Sequence, residues 1–345
     1  MDSDRHLWRG SIGSALSFFF LGFARAGLIH LSSFFTGAVP PYISCCMSMT
    51  SSLRATIPIC SGTLFNAYIS KYACDILERF DMIDSKPVST PLAAGDSLVS
   101  SGPSYYDPTL YRSIIGALQY LTITRPDLSF AVNLVSQFLQ SPTEAHFHAV
   151  KRILRYVKGT VHYGLSFDRR PDQSILAYSD ADWARCVETR RSTYGYSIFL
   201  GGNLVSWSAK KQPSVSRSSC ESEYRALTNA ASEVIWVVNL LRELQASSDS
   251  VPLLLCDNKS VAFLSQNPIA HKRAKHIDID YHFVRELVSS GRLQTQFVPS
   301  HLQLADIFTK SLPRPAFELL RSKLCVCLHP THRLTGGKSV KQSIK

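Results

Sequence analysis

The chain of 345 residues is basic and long enough for two ordinary domains. Its 37 Lys and Arg against 26 Asp and Glu give a net charge of +11, which suits a polyanionic partner but specifies no fold. Nine scattered cysteines, an odd number, argue against a secreted disulfide-rich protein and predict buried, reduced thiols. We therefore expect an intracellular protein, cytoplasmic or nuclear.

The first 62 residues differ in composition from the rest, and Ser14–Pro40 is rich in Phe, Leu, Gly and Ser. Arg25 and His30 interrupt this segment, so no apolar run reaches the roughly 18 residues of a transmembrane helix. Ile12–Phe23 has the apolar character of a signal-peptide core, but the flank before it is not clearly basic. We expect a poorly ordered stretch and no membrane partner; a membrane anchor or signal segment is the less favoured alternative.

Residues 63–164 are predicted to be mainly helical. The apolar pattern of Phe65–Phe80 predicts a strand edge that runs into an amphipathic helix, and a Pro-, Ser-, Gly- and Asp-rich linker spans Ser85–Pro108. Helical spacing predicts three more helices, at Tyr111–Leu121, Leu128–Leu139 and Thr143–Val157.

Residues 165–328 are predicted to form a unit of strands and helices, followed by a basic tail at 329–345. The predicted strands are Leu176–Ser179, Tyr194–Leu200, Leu204–Ser208, Pro252–Cys256 and Leu293–Val298. The predicted helices are Ser219–Gln245, Lys259–Ser265, Ile279–Ser289, Leu304–Lys310 and Pro315–Leu324. Gly201 and Gly202 predict a hairpin turn. Three strands, a helix and then alternating elements predict an α/β fold with a mixed sheet.

Four acidic residues lie in or just after apolar segments: Asp180, Glu223, Asp257 and Asp306. A carboxylate near a core is costly unless it is paired or bound to a cation. Four carboxylates from distant segments predict a site for hard divalent ions such as Mg²⁺, which prefer oxygen ligands. Asp182 lies two residues beyond Asp180 on the same strand face, so spacing leaves it open as a further ligand.

The spacing along the long helix separates Glu221 from Glu223. Residues i, i+4 and i+7 align along a helix, so Glu223 shares the face of Leu227 and Ala230. Glu221 lies about 200° round the helix from that face, and we expect its side chain to point to solvent.

Seven motifs carry a family resemblance. They are, in order, Tyr178-Ser-Asp-Ala-Asp-Trp-Ala, Arg191-Ser-Thr-Tyr-Gly-Tyr, Trp207-Ser-Ala-Lys-Lys-Gln-Pro, Ser218-Ser-Cys-Glu-Ser-Glu-Tyr-Arg-Ala-Leu, Cys256-Asp-Asn-Lys-Ser, Lys275-His-Ile-Asp-Ile-Asp-Tyr-His-Phe-Val-Arg-Glu and Leu304-Ala-Asp-Ile-Phe-Thr-Lys. This series resembles the ribonuclease H domain of copia-type retrotransposon Pol polyproteins. The segments that begin at Tyr111 and Arg125 resemble the region after the polymerase palm in the same polyproteins, so the resemblance covers about Thr63 to Leu324.

The resemblance implies a ribonuclease H-like mixed sheet with flanking helices, preceded by a helical subdomain. It also implies an endoribonuclease that cuts the RNA strand of RNA–DNA hybrids with two Mg²⁺ ions, or Mn²⁺ in their place. Asp180, Glu223, Asp257 and Asp306 would be the catalytic and metal-binding residues. His301 lies near the position of a mobile histidine that assists product release in many ribonucleases H; a solvated loop histidine is the alternative.

One departure from the family concerns the polymerase. No Tyr-x-Asp-Asp motif is present, and no palm strands are predicted before residue 63. The chain therefore resembles a C-terminal remnant of a Pol polyprotein, with a reverse transcriptase polymerase domain as a partner in trans. The alternative function is a catalytically silent remnant that binds nucleic acid.

Five basic residues are candidates for contact with nucleic-acid phosphates: Lys210, Lys211, Lys272, Arg273 and Lys275. Such contacts are directed at the backbone and are blind to base sequence. Ordinary solvated charge is the alternative for each of them.

Two further groups of residues are expected to be structural. Trp183, Trp207 and Trp236 are predicted to be core residues. The segment Cys325–His332 holds four residues of zinc-binding types, but their spacing is tighter than usual, so we favour a frayed terminus.

Overall fold

The computed structural model describes five stretches of the chain: residues 60–95, 98–168, 172–246, 250–266 and 278–328. The expectations for residues 1–59, for Lys272, Arg273 and Lys275, and for the tail at 329–345 lie outside the described residues. Within the described stretches, no helix has both the length and the apolar character required to cross a membrane.

Helices dominate the described residues before the main sheet. They are α1 (Cys60–Arg79), α2 (Pro108–Leu121), a 3-10 helix (Pro126–Leu128), α3 (Ser129–Ser136) and α4 (Glu144–Gly159). Helix α2 begins where the Asp107 side chain accepts a hydrogen bond from the Leu110 amide at 2.9 Å, and Thr143 caps α4. The linker that was predicted from residue 85 to 108 lies between α1 and α2.

The strand edge expected at the start of the first helical segment is wrong, because α1 is helical from Cys60 onward. Ile69, Ala73, Ile76 and Leu77 are all buried. Their spacing of i, i+4, i+7 and i+8 is that of one face of a helix.

The main sheet has five strands: β2 (Ile175–Asp182), β3 (Thr193–Leu200), β4 (Asn203–Lys211), β5 (Leu253–Cys256) and β6 (Gln294–Phe297). Their order across the sheet is β4-β3-β2-β5-β6. Strand β2 pairs antiparallel with β3 and parallel with β5, and β5 pairs parallel with β6. The flanking helices are α5 (Ser219–Glu243), α6 (Lys259–Gln266), α7 (Asp278–Ser289) and α8 (Arg314–Lys323). The predicted α/β fold, with a mixed sheet, flanking helices and preceding helices, is confirmed.

The hairpin between β3 and β4 also forms where the sequence predicts it. Gly201 and Gly202 have φ values of 55° and 79°, and Leu200 pairs with Asn203 across the turn. Two successive positive φ values match the twist of a two-residue hairpin and favour glycine.

Several elements differ in extent from their predictions. Strand β2 continues to Asp182, so Asp180 lies inside the strand, paired with Gly195, and does not end it. The helix predicted at 304–310 is a 3-10 helix over Leu304–Phe308. A second, two-stranded sheet joins β1 (Tyr163–Leu165) to β7 (Val326–Leu328), which contradicts a frayed terminus at 326–328.

Two hydrophobic cores lie on opposite faces of the main sheet. One is shared between the preceding helices and the sheet, because Leu118, Val135 and Ile153 belong to the same buried cluster as Phe199 and Phe308. The other lies under α5, whose Leu227 and Val234 pack with Ile198 and Leu254. The preceding helices therefore depend on the sheet for their burial.

A buried ion pair lies within the shared core. Both nitrogen–oxygen contacts between Arg125 and Asp127, 2.9 and 2.7 Å long, are inaccessible to solvent. Arg125 also donates to the backbone oxygen and the hydroxyl of Thr160, each at 2.8 Å, and the Tyr156 hydroxyl donates to Asp127 at 2.6 Å. Arg321 of α8 reaches the Tyr156 hydroxyl at 3.2 Å, so the network links the preceding helices to the last helix.

Candidate active site

Three of the four candidate carboxylates meet at one end of the sheet. Asp180 lies near the end of β2, and Asp257 directly follows β5, its parallel neighbour. Glu223 lies in the first turns of α5, which packs across β2. One oxygen of each of these side chains lies within 4.8 Å of the other two. The carboxyl-terminal ends of parallel strands meet at one edge, which explains how residues 77 positions apart come together.

The three carboxylates differ in their hydrogen bonds. Asp257 accepts a hydrogen bond from the Ser300 hydroxyl at 3.0 Å, and Asp180 accepts one from the Thr309 hydroxyl. Glu223 is 8% exposed, and its Oε2 is buried with no hydrogen-bond partner among the described residues. A buried carboxylate oxygen without a partner is costly, so this oxygen is suited to a cation.

Asp306 approaches the same site but lies outside the cluster of three. Its Oδ1 lies 2.7 Å from Nζ of Lys310, and the same ammonium lies 3.4 Å from each carboxylate oxygen of Asp180. The 3-10 helix that carries Asp306 comes close to the sheet because Gly195, opposite Asp180, leaves room for Phe308. Two carboxylates and one ammonium thus form a charged edge beside the cluster.

Burial and mutual repulsion raise the pKa of Asp180 and of Glu223. Burial raises the pKa of Asp180 to about 7, with Lys310 opposing the shift and the charges of Asp306 and Asp257 adding to it. Burial and the charges of Asp180 and Asp257 raise the pKa of Glu223 to about 10. Burial opposes the charged form of Lys310, but the charges of Asp180 and Asp306 raise its pKa above the usual value. The site therefore favours added positive charge, whether protons or cations.

Sequence reasoning did not single out Thr309, Lys310 or Ser300. Lys310 follows Asp306 by four residues, and this i,i+4 spacing was a usable signal for their ion pair. The contacts of Thr309 and Lys310 with Asp180 span about 130 positions and had no local signal.

The predicted orientation of Glu221 is wrong. Its side chain is mostly buried, because it accepts a hydrogen bond from the Arg217 amide at 2.8 Å and pairs with Arg225 at 2.8 Å. These contacts give hydrogen-bond and ion-pair partners to residues at the start of α5, and they hold the Glu221 carboxylate outside the cluster. Asp182, left open as a ligand, pairs with Arg185 at 3.0 Å and also lies outside the cluster of three.

The candidate nucleic-acid contacts are described only in part. Lys210 is exposed near the end of β4, opposite Tyr194 of β3. Nζ of Lys211 lies 2.9 Å from Sγ of Cys186, so this amine already has a contact within the chain. His301 is exposed in a 3-10 helix over Ser300–Leu302. Their roles stay predictions.

The structural expectations for the aromatic and thiol side chains are met in part. Trp207 and Trp236 are half-buried and pack against the two cores, so the prediction is met in part for them, whereas Trp183 is 48% exposed and is not a core residue. Its indole N–H donates to the Ser216 backbone oxygen at 3.0 Å, which holds the ring at the surface. The six cysteines whose side chains are described form no disulfide with one another, but only Cys256 is buried, so the expectation of burial is wrong for the other five.

Known proteins resemble the chain over most of its length. No family model matches it. It is 48% identical over 261 residues to the retrovirus-related Pol polyprotein from transposon RE1 of Arabidopsis thaliana, and 46% identical over 261 residues to that from RE2 of the same plant. It is 38% identical to the Pol polyprotein from transposon TNT 1-94 of Nicotiana tabacum. These alignments cover 73 to 75% of the chain, but the chain spans only 18 to 19% of the length of these relatives.

Solved structures align with the chain at low identity. The N-terminal ribonuclease H domain of a Mycobacterium tuberculosis protein aligns with 44% of the chain and 98% of its own length, at 14% identity and a TM-score of 0.31. The foamy viral protease-reverse transcriptase in complex with an RNA/DNA hybrid aligns with 62% of the chain and 26% of its own length, at 10% identity and a TM-score of 0.36. The sequence relatives are therefore the stronger evidence: close homologues of the chain are copia-type retrovirus-related Pol polyproteins of transposons.

Proposed function

We propose that the chain is a ribonuclease H that hydrolyses the RNA strand of RNA–DNA hybrids with two divalent ions, Mg²⁺ or Mn²⁺. The observation that carries this proposal is the convergence of Asp180, Glu223 and Asp257, from three separate segments, to within 4.8 Å. The ordered motifs that resemble the ribonuclease H domain support the hybrid as substrate, and the net charge of +11 supports a nucleic acid.

The residues fit hard divalent ions. Carboxylate oxygens are the ligands that Mg²⁺ prefers, and the unpartnered Oε2 of Glu223 offers one in a buried setting. Asp180, Glu223 and Asp257 would hold one ion, and Asp306 is the remaining carboxylate for a second. When bound, the ions would supply an activated water and stabilise the leaving 3′ oxygen of an in-line displacement.

The chain's own residues would orient these ligands and the substrate. The Ser300 and Thr309 hydroxyls fix Asp257 and Asp180, and ligands held in this way keep their geometry when charge changes at the site. Selection of the hybrid would rest on its shape and on contacts with 2′-hydroxyls in a shallow minor groove. Lys210 and Lys211, together with Lys272, Arg273 and Lys275, would add sequence-blind phosphate contacts; this is the role expected from charge alone.

The proposal includes a division of the chain. Residues 165–328 would form the ribonuclease H unit, and residues 63–164 would correspond to the segment that follows the polymerase palm. A polymerase domain in trans would be the protein partner, and His301 would assist product release. Residues 1–62 and 329–345 would take no part in the chemistry.

Cleavage by the full chain tests the proposal. A labelled RNA–DNA hybrid should be cut in Mg²⁺ or Mn²⁺ and left intact in chelator, while DNA and RNA duplexes of the same sequence should not be cut. Asp180→Asn should lower the rate by several orders of magnitude, because it removes a ligand that the transition state requires. Asp182→Asn is the matched control, since it changes the same residue type on the same strand outside the cluster.

Two results would contradict the proposal. Cleavage that persists in chelator would remove the role of the metal, and a near-normal rate for Asp180→Asn would remove the assignment of the site. Tight, salt-dependent binding of the hybrid without cleavage at any Mg²⁺ or Mn²⁺ concentration would favour the silent binding remnant.

A further inference from the structure

The candidate active site contains a positive charge of its own. Nζ of Lys310 lies 2.7 Å from Asp306 and 3.4 Å from both oxygens of Asp180. Asp180 is 1% exposed, so its carboxylate has little access to water. Among the described residues, the Lys310 ammonium is the cation that contacts it. The Lys310 side chain is 33% exposed, so the ammonium keeps some access to solvent.

The ammonium divides the site into two unequal halves. On one side, Asp180, Glu223 and Asp257 lie within 4.8 Å of one another, and the Oε2 of Glu223 has no partner among the described residues. On the other side, Lys310 lies 2.7 Å from Oδ1 of Asp306 and 3.4 Å from both oxygens of Asp180, which is shared by the two halves. Among the described residues, Glu223 and Asp257 form no ion pair, so only the first half offers carboxylates without a cation in contact.

We infer that Lys310 determines how many divalent ions the chain binds. This inference rests on the metal site proposed above and adds a residue to it. In the chain free of nucleic acid, one divalent ion binds at Asp180, Glu223 and Asp257, and Lys310 is the cation at the edge formed by Asp180 and Asp306. Lys310 is thus a charge-compensating residue that acts through two metal ligands.

Electrostatics supports this division. A divalent ion that contacts Asp180 and Asp306 together would lie close to the ammonium, and repulsion between a +2 and a +1 charge is strong where carboxylates are shielded from water. The ammonium would have to leave before a second ion entered. A lysine side chain has a flexible four-carbon stem, and its partial exposure gives it a route to solvent.

Ion counting without nucleic acid tests the inference. Mn²⁺ is added to the metal-free full chain, and the free ion is measured by electron paramagnetic resonance. The wild type should bind one Mn²⁺ per chain. Lys310→Met should bind two, and its ion at the three-carboxylate cluster should be held about tenfold more tightly, because a nearby repulsive charge is gone.

Three further variants show whether a change in ion binding comes from the lost charge or from poor folding. Lys310→Arg keeps a cation and should bind one ion, as should Lys323→Met, which removes an exposed lysine at the end of α8. Glu223→Gln combined with Lys310→Met should return the count to one, since it removes the ligand with the unpartnered oxygen. If Lys310→Met folds poorly, Lys310→Arg still tests the inference, because a folded Lys310→Arg should bind one ion per chain, as the wild type does.

The outcomes distinguish this inference from the proposed nuclease. An unchanged count and affinity in Lys310→Met, or the same change in Lys310→Arg, would overturn the role of Lys310 even in a chain that cleaves hybrids. Two ions bound by the wild type without nucleic acid would also overturn it. A chain that gains an ion in Lys310→Met but never cuts a hybrid would support the role of Lys310 and contradict the nuclease.

Discussion

Replacement of Arg125 by methionine should destabilise the fold strongly. The guanidinium and the Asp127 carboxylate are fully buried, and Arg125 makes four contacts of 2.7 to 2.9 Å with Asp127 and Thr160. Arg125→Met removes all four and leaves the buried Asp127 with the Tyr156 hydroxyl alone from the hydrogen bonds described above. Loss of one partner of a buried ion pair costs about 3–5 kcal/mol, which is a large part of the free energy of unfolding of an ordinary domain.

The double variant provides the decisive comparison. Arg125→Met with Asp127→Leu removes both charges of the buried pair, so it should cost about 1–3 kcal/mol and be more stable than Arg125→Met alone. Arg314→Met is the matched control, because Arg314 is 67% exposed and its pair with Glu318 should contribute at most about 1 kcal/mol.

Urea denaturation of each full-length variant, followed by circular dichroism, measures these differences in the free energy of unfolding. A cost of Arg125→Met no larger than that of Arg314→Met would contradict the expected contribution of the buried ion pair. A double variant less stable than Arg125→Met would also contradict it, since the cost would then not come from an uncompensated charge.

Three further predictions concern the candidate active site. Glu223→Gln should abolish hybrid cleavage, whereas Glu221→Gln should keep it and lose about 1 kcal/mol of stability in urea, because its contacts with the Arg217 amide and Arg225 are weakened; equal effects on cleavage would contradict the assignment. In chelator, the folded chain keeps the proton of Asp180 up to about pH 7 while the unfolded chain loses it near pH 4, so the free energy of unfolding should fall as pH rises between these values. Asp180 should account for at most about 3 kcal/mol of this fall between pH 5 and 7, and Glu223, whose pKa is also raised, should add to it. The profile should therefore become shallower in Asp180→Asn, and an unchanged profile in that variant would count against the raised pKa of Asp180. Lys210→Gln should make the log–log salt dependence of hybrid binding shallower by up to about one unit, and Lys323→Gln should not; identical slopes would assign Lys210 to solvated charge.

The sequence was sufficient for those parts of the site that depend on local pattern. The apolar run before Asp257 ends where β5 ends, and the helical spacing correctly placed Glu223 on the face of Leu227. Each long strand or helix has a clear hydrophobic period, so its type could be predicted from the sequence. The resulting order of strands and helices predicted a mixed sheet.

What the sequence did not reveal depends on contacts between distant residues. Glu221 is buried because Arg217 and Arg225 meet it at the start of α5, and spacing on a helical wheel does not include such partners. Strand β2 extends through Asp180 because Gly195 pairs with it, although polar residues weaken the strand pattern there. Strands of three residues, such as β1, are too short to show a period at all.

The pairing of β1 with β7 has a consequence for the order in which the chain acquires its structure. The register joins Tyr163 to Leu328 and Leu165 to Val326, so the pair spans more than 160 residues of sequence. Such non-local pairing slows folding, because the ends of a long loop must meet before any contact between them is gained. During synthesis the helices before the sheet emerge first, but β1 can pair with β7, its strand partner among the described residues, only after β7 has left the ribosome. The two-stranded sheet can therefore close only as a late event, after almost all of the described residues have been made.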